Sequence, residues 1–387
     1  MRPAGAYLAA HDERIRAEIN LTRPPLRVLH VESGHEWRLT RNQVGLLVDG
    51  LRRVPHVRQS VATLERSRLE RATRDMGIPV IPLPWSVGAD PRALRTLARH
   101  ARRRWDVVHV HDTHALRLMT YLAALEGSGS RIVATRRTVS PTRSGWKWRR
   151  AHLVLAVSES ARDALIAGGV ERSRISVVPE GVDAEGLKSQ DSQDSRLLRE
   201  AAGAKPDHFL VASLAALGPD RDHATLIRAA SLVVQKYPNA RFAIFGDGPE
   251  RGRLESLIDK LDLEGWVCLP GFVDGARSSL ANIDLFVMPS FREELSTGCL
   301  EAMWAGVPVV MPASGDGRLR AEGIEPVRRG DQSSMAEAIG RFIEEPDLRA
   351  QASERASAYA RAHGAEAMVE ATLKAYEGVS RPSRWSP

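Results

Sequence analysis

Two glutamates with seven residues between them, Glu293 and Glu301, carry the most chemical information in the chain. They lie in Pro289-Ser290-Phe291-Arg292-Glu293-Glu294-Leu295-Ser296-Thr297-Gly298-Cys299-Leu300-Glu301-Ala302-Met303, directly after the apolar run Leu285 to Met288. Ser296 and Thr297 are good helix starters, and Cys299 to Trp304 is helical in character. A helix that opens at the end of a strand presents free backbone N–H groups and the positive end of its dipole. Ser296, Thr297 and Gly298 therefore form a cradle for an anion such as a diphosphate. Glu301, about one turn inside, can accept hydrogen bonds from the two hydroxyls of a ribose. Glu293, ahead of the helix, can extend a carboxylate beyond the phosphates. The plain alternative is that both glutamates only favour a helix N-terminal region electrostatically.

Further along the same chemistry, Asp106-Val107-Val108-His109-Val110-His111-Asp112 puts two histidines at alternate strand positions. Both then share one face, with His111 nearer the carboxyl edge and better placed to touch a ligand. His109 reads equally well as a core histidine bonded to a neighbouring backbone group. Gly246 and Gly248 follow the strand Phe242 to Phe245, where a tight turn brings the backbone close to a nucleotide base or phosphates, or simply joins a strand to a helix. The densest basic cluster is Arg143, Lys147, Arg149 and Arg150, interleaved with Trp146 and Trp148. Tryptophan beside arginine suits the boundary between water and lipid headgroups. A solvated loop with two tryptophans packed partly beneath it accounts for the cluster equally well.

These residues need scaffolds to hold them, and 387 residues with 43% hydrophobic and 27% charged side chains are enough for two cores. Cys268 and Cys299, the two cysteines, can build neither a disulfide scaffold nor a four-thiolate zinc site. Both read as buried thiols in a reducing compartment. A formal charge of +7 and a pI near 9.8 suit an anionic partner. No zinc finger, RNA-recognition signature or aromatic-basic stacking run is present, so nucleic acid is not expected. The N-terminal residues lack the apolar stretch of a signal peptide, and no run of about 18 apolar residues occurs. The expected location is cytoplasmic, with peripheral contact at the inner face of the cell membrane as its variant.

Valine- and isoleucine-rich runs alternate with helical segments, which predicts an α/β fold of parallel sheets covered by helices on both faces. The first series runs Leu26 to Val31, Ile78 to Leu83, Val107 to His111, Ile132 to Thr135, Leu153 to Val157 and Ile175 to Val178. The second runs Phe209 to Ala215, Phe242 to Phe245, Val267 to Leu269, Leu285 to Met288 and Val307 to Met311. Between them the polar stretch around Lys188 to Ser195 has a linker composition. The reading is an N-terminal extension (1–24), a first domain (25–187), a linker (188–197), a second domain (198–365) and a C-terminal helix and tail (366–387) that packs back on the first domain. Open parallel sheets bind ligands outside the carboxyl ends of their strands, so the site is expected in the cleft between the two.

The glutamate pair followed by Ala-Met and by Ala305-Gly306-Val307-Pro308-Val309-Val310 resembles the signature of the retaining glycosyltransferases of the GT-B fold, family 4. Supporting matches are Val157-Ser158-Glu159, Val178-Pro179-Glu180-Gly181-Val182-Asp183, Phe245 to Glu250, Gly271-Phe272 and the Asp106 to Asp112 segment, spanning Leu26 to about Tyr376. The resemblance implies two Rossmann-like domains, the first for the acceptor and the second for the nucleotide sugar. It also implies transfer of a sugar from a UDP- or GDP-sugar to an acceptor hydroxyl, with retention at the anomeric carbon and neither metal nor other cofactor. In this picture His111 and Glu293 position the sugar, Arg221 and the helix start offset the diphosphate charge, and Glu301 fixes the ribose. The acceptor is a glycan or a lipid-linked glycan, in polysaccharide or glycolipid synthesis.

Three departures stand beside the matches. Leu39 and Thr40 fall where the family has a glycine pair. The phosphate-binding arginine and lysine fall on Ala216 and Arg221. The glycine-rich stretch after Val310 becomes Gly315 to Arg320 and is shortened. They keep two other readings open: a catalytically weakened binding or scaffold protein, and a sugar-nucleotide epimerase.

Overall fold

The computed structural model describes residues 24–33, 43–85, 90–101, 105–126, 130–137, 145–188, 196–290, 295–313 and 322–380. The first sheet contains β1 (Leu26–Val31), β2 (Val57–Leu64), β3 (Val80–Leu83), β4 (Val107–Val110), β5 (Arg131–Arg136), β6 (Leu153–Ala156) and β7 (Ile175–Val177), in the order β3-β2-β1-β4-β5-β6-β7. The second contains β8 (Phe209–Leu214), β9 (Ala240–Phe245), β10 (Val267–Gly271), β11 (Leu285–Val287), β12 (Val309–Pro312) and β13 (Ile324–Val327), in the order β10-β9-β8-β11-β12-β13. Every pairing is parallel. Because helices cover both faces, strands such as β11 and β12 are buried throughout and read as unbroken apolar runs.

Two strands escape the periodicity of the sequence. In β2 the run Arg58-Gln59-Ser60 interrupts the apolar pattern, and burial resumes only at Val61, Ala62 and Thr63. Strand β13 is four residues long, holds Glu325 and Pro326, and lies at the sheet edge, where proline costs no ladder bond. The strand order reverses direction between β1 and β4 in the first sheet and between β8 and β11 in the second. The carboxyl ends of these two pairs are the switch points where open α/β sheets leave a crevice.

The last helix, Ala365–Ser380, contributes Met368, Val369 and Tyr376 to a core shared with Val28, Leu47, Leu51 and Val107 of the first domain. It lies against the helix Gln43–Arg52, whose buried face includes Val44, Leu47, Val48 and Leu51. Gly50 permits this approach, since a Cβ there would meet Val369 Cγ2 at 2.3 Å. The outgoing and returning chains run side by side: Val182 N–H donates to His363 O (3.1 Å) and Ala365 N–H to Val182 O (3.0 Å). Of the linker residues, 189–195 lie outside the described residues, and the short helices Ala184–Lys188 and Leu197–Ala201 flank them. No helix among the described residues is long and apolar enough to cross a membrane.

Candidate active site

The helix Thr297–Trp304 begins beyond β11, at the second switch point. Ser296 is its N-cap, extended at φ −71° and ψ 157°, and its hydroxyl accepts from Cys299 N–H at 3.3 Å. That hydroxyl is therefore turned into the helix, and the residues left to face a ligand are Thr297 and Gly298. Among the described residues the N–H groups of these two have no backbone acceptor. A Cβ at Gly298 would meet nothing closer than Leu214 O at 3.6 Å, so the protein itself does not require a glycine there.

Thr297 Oγ1 instead donates to the carboxylate of Glu180 at 2.7 Å, from the segment that follows β7. Glu180 also accepts from Arg137 Nε at 3.1 Å, and Arg137 Nη1 donates to His111 O at 2.6 Å. A continuous polar chain thus runs from the strand end that carries His111, across the cleft, to the N-terminus of the second-domain helix. Gln43 steadies its middle by bonding both backbone groups of Gly181, at 2.9 and 3.0 Å.

Glu301 is 2% exposed and lies 2.7 Å from Arg277 Nη2, whose Nη1 is 3.9 Å from Asp183 Oδ2. Burial pushes the Glu301 carboxyl up to about 7, and the Arg277 charge opposes that shift.

On the first-domain side, His30 of β1 is the register partner of His109 of β4, and His111 follows β4 with its N–H bonded to Val31 O at 3.0 Å. The rings of His109 and His111 are 3.9 Å apart between centroids. His109 is a core histidine, held at 2.6 Å by the Tyr376 hydroxyl on one nitrogen and at 2.6 Å by the Thr135 hydroxyl on the other. His30 Nδ1 and His111 Nε2 are 3.0 Å apart, which leaves His111 Nδ1 unpartnered. Burial drives all three imidazoles towards the neutral form, with His30 lowered to about 4. A cavity of about 30 Å³, enough for a water or two, is lined by Gln43, His109, His111, Thr135, Arg137 and Glu180. The three imidazoles are the one group among the described residues whose ligand atoms, within 4.8 Å of one another, could share a metal ion. Hydrogen bonds already engage four of their six nitrogens.

The remaining sequence candidates divide. Arg221 ends the 3₁₀ turn Pro219–Arg221, close enough to the helix Thr297–Trp304 for its charge to act on the Cys299 thiol. Gly246 has φ +131°, and a Cβ at Gly248 would meet Leu217 O at 2.5 Å, so the protein's own backbone accounts for both glycines. Cys299 is buried as expected, whereas Cys268 is only half-buried, between Ala202 O and Phe242 O. Trp148 corrects the headgroup expectation: it is 4% exposed, packed in the first-domain core under the Arg136 guanidinium. Trp146 stays half-buried beside Tyr121 and Arg150, next to Lys147, with Arg149 and Arg150 exposed. Glu293, Arg143, Leu39, Thr40 and Gly315 to Arg320 lie outside the described residues.

The sequence did not single out His30, Arg137, Glu180 and Arg277 as site residues. A histidine inside the apolar strand β1 was a usable signal for His30. Nothing local marked the two arginines, and Glu180 was legible as part of a motif but not as a bridge.

Comparison with known proteins matches the chain to two family profiles, Glycosyltransferase Family 4 over residues 42–185 and Glycosyl transferases group 1 over residues 194–359. The putative glycosyltransferase EpsD of Bacillus subtilis is 27% identical over 213 residues, 52% of this chain and 55% of that protein. The sulfoquinovosyl transferase of Arabidopsis thaliana is 27% identical over 250 residues, 60% of this chain and 47% of that protein. The chain thus spans about half the length of these curated relatives. Among solved structures, Anabaena HepE in complex with UDP and glucose superposes with a TM-score of 0.76 at 19% identity, covering 91% of this chain and 100% of that one. A glycosyltransferase from Rickettsia africae does so with a TM-score of 0.79 at 15% identity, covering 93% and 100%. The two facing Rossmann-like sheets are the GT-B fold.

Proposed function

The chain belongs to the group 1, family 4 glycosyltransferases, and from that premise we propose that it transfers a sugar from a UDP- or GDP-sugar to an acceptor hydroxyl with retention at the anomeric carbon. The observation that carries the reading is the convergence of His111, Arg137 and Glu180 of one domain on Thr297 of the other, beside the buried Glu301.

The donor diphosphate lies at the N-terminus of the helix Thr297–Trp304, where Thr297, Gly298 and Arg221 meet its charge and take the place of a metal ion. Its oxygens displace the Glu180 carboxylate from Thr297. Glu301 binds the ribose, and Glu293 and His111 hold the sugar. Neutral at working pH, His111 has its unpartnered Nδ1 available to a sugar hydroxyl. The acceptor is a glycan or a lipid-linked glycan approaching over the first domain, in polysaccharide or glycolipid synthesis. The work is done in the cytoplasm, with Trp146, Lys147, Arg149 and Arg150 as contacts to the inner membrane face.

The test is a thermal-shift screen against UDP, GDP, ADP and their sugar conjugates, followed by product analysis with the wild type, Glu293→Ala and Glu301→Ala. Selective stabilisation by one nucleotide, lost in Glu301→Ala, and turnover lost in Glu293→Ala are expected. Nucleotide binding without transfer or donor hydrolysis would favour a scaffold, a reading to which the Glu180 carboxylate at the helix N-terminus also lends itself. Donor conversion without acceptor would favour an epimerase.

A further inference from the structure

Arg137 directly follows β5, at the carboxyl edge of the first sheet, where open α/β sheets collect their ligands. Its guanidinium is fixed in place by the protein itself: Nη1 donates to His111 O at 2.6 Å and Nε to Glu180 Oε1 at 3.1 Å. The other oxygen of that carboxylate, Oε2, accepts from Thr297 Oγ1 at 2.7 Å. One anionic group thus bridges a guanidinium of the first domain and the first residue of a second-domain helix. With 29% of the Arg137 side chain and 16% of the Glu180 side chain exposed, the pair is shielded from water more than a surface ion pair is.

A phosphoryl group can do what the Glu180 carboxylate does there. It presents two oxygens on one central atom, carries negative charge and takes charge-assisted bonds from a guanidinium, whose planar fork suits carboxylate and phosphate alike. An anion that displaces Glu180 from Thr297 therefore inherits Arg137 as well. Ala216 gives the second domain no cation at its position, so a positive charge from the opposite wall has a task to fill. The anchor on His111 O sets the guanidinium on the side of the cleft where His111 holds the sugar. The phosphate within its reach is then the one bonded to the sugar. We propose that Arg137 is a further donor-binding residue, which takes the β-phosphate of the nucleoside diphosphate in exchange for Glu180 and so ties the donor to both domains. This role rests on the reading that the diphosphate lies at the N-terminus of the helix Thr297–Trp304.

The test is titration calorimetry of the full-length protein with UDP, GDP and ADP and, for the one that binds, with its monophosphate, which lacks the β-phosphate. Arg137→Gln is made both in the wild type and in Glu180→Gln, because an effect exerted only through the Glu180 charge vanishes in the second background. Arg137→Lys, which keeps the charge but not the fork, is the second variant should Arg137→Gln fail to fold. Diphosphate affinity is expected to fall at least about 10-fold with Arg137→Gln in both backgrounds, and by less with Arg137→Lys, while monophosphate affinity is unchanged. Unchanged diphosphate affinity in the Glu180→Gln background, or equal losses for diphosphate and monophosphate in both Arg137 variants, would overturn the proposal. Should Glu301→Ala still abolish binding in those cases, the transfer reading survives without Arg137. A wild type that binds none of the three diphosphates sinks both.

Discussion

Glu180 Oε2 accepts a hydrogen bond from Thr297 Oγ1 at 2.7 Å, so a carboxylate of the first domain stands at the positive end of a helix in the second. Any anion entering that helix N-terminus must compete with it. Glu180→Gln keeps a hydrogen-bonding oxygen and removes the charge. Affinity for the cognate nucleoside diphosphate should rise about 3- to 10-fold. Titration calorimetry with UDP and GDP checks this, and an affinity that falls would show that Glu180 assists binding instead of competing.

Gly298→Ala should separate folding from binding. The added Cβ has ordinary contact distances to the protein, and alanine is the better helix former, so stability should rise by about 0.5–1 kcal/mol. The same methyl intrudes on a ligand at the helix start, so nucleotide affinity should fall. Melting temperature and binding are measured on one sample. A variant that binds as tightly as the wild type would remove Gly298 from the site.

Arg277→Met should destabilise the protein by about 3 kcal/mol at pH 8, because it leaves the Glu301 carboxylate buried and unpaired. The folded-state pKa of Glu301 is raised, from 4.5 to about 7, so its ionised form is what the fold resists. Its penalty is absent below about 4.5 and grows as pH rises through 7. Urea unfolding at pH 5 and pH 8 should show the smaller loss at pH 5. Equal losses at both would mean that the pairing of charges is not the cause.

Acidification should destabilise the wild type. The folded-state pKa values of His30 and His223 are lowered from 6.5 to about 4, and His109 and His111 are lowered too, in each case chiefly by burial. The unfolded chain takes up these protons first, so stability is full above about 6.5 and drains as pH falls towards 4. His30 and His223 each account for roughly 3 kcal/mol at the end of that range. The raised carboxyls of Glu301 and Asp222 work in the opposite direction and cannot offset four histidines. Calorimetric melting between pH 7.5 and 4.5 should show a falling midpoint, less steep in His223→Phe. A flat profile would contradict the burial of neutral imidazoles.

Much of this molecule is legible in one dimension. The alternation of Leu26 to Val31 with Val44, Leu47, Val48 and Leu51 is written in residue spacing, because strand and helix periods follow from backbone geometry. The start at Ser296 and the shared face of His109 and His111 were readable for the same reason. Where spacing was disturbed, as at Arg58-Gln59-Ser60 in β2, the strand was missed although the sheet was not.

What the sequence determined by itself is therefore the kind of fold, the family, and the strand ends at which chemistry is expected. The tertiary structure alone decided who meets whom there. It set Glu180 against Thr297 across 117 residues, His109 against Tyr376 across 267, and His30 against His111 across 81. It also enclosed Trp148, for which the sequence left a headgroup contact and packing beneath the loop equally open. Residue spacing encodes local periods, whereas each of these contacts depends on how whole sheets are ordered and how the last helix returns. No local pattern of side chains carries that information.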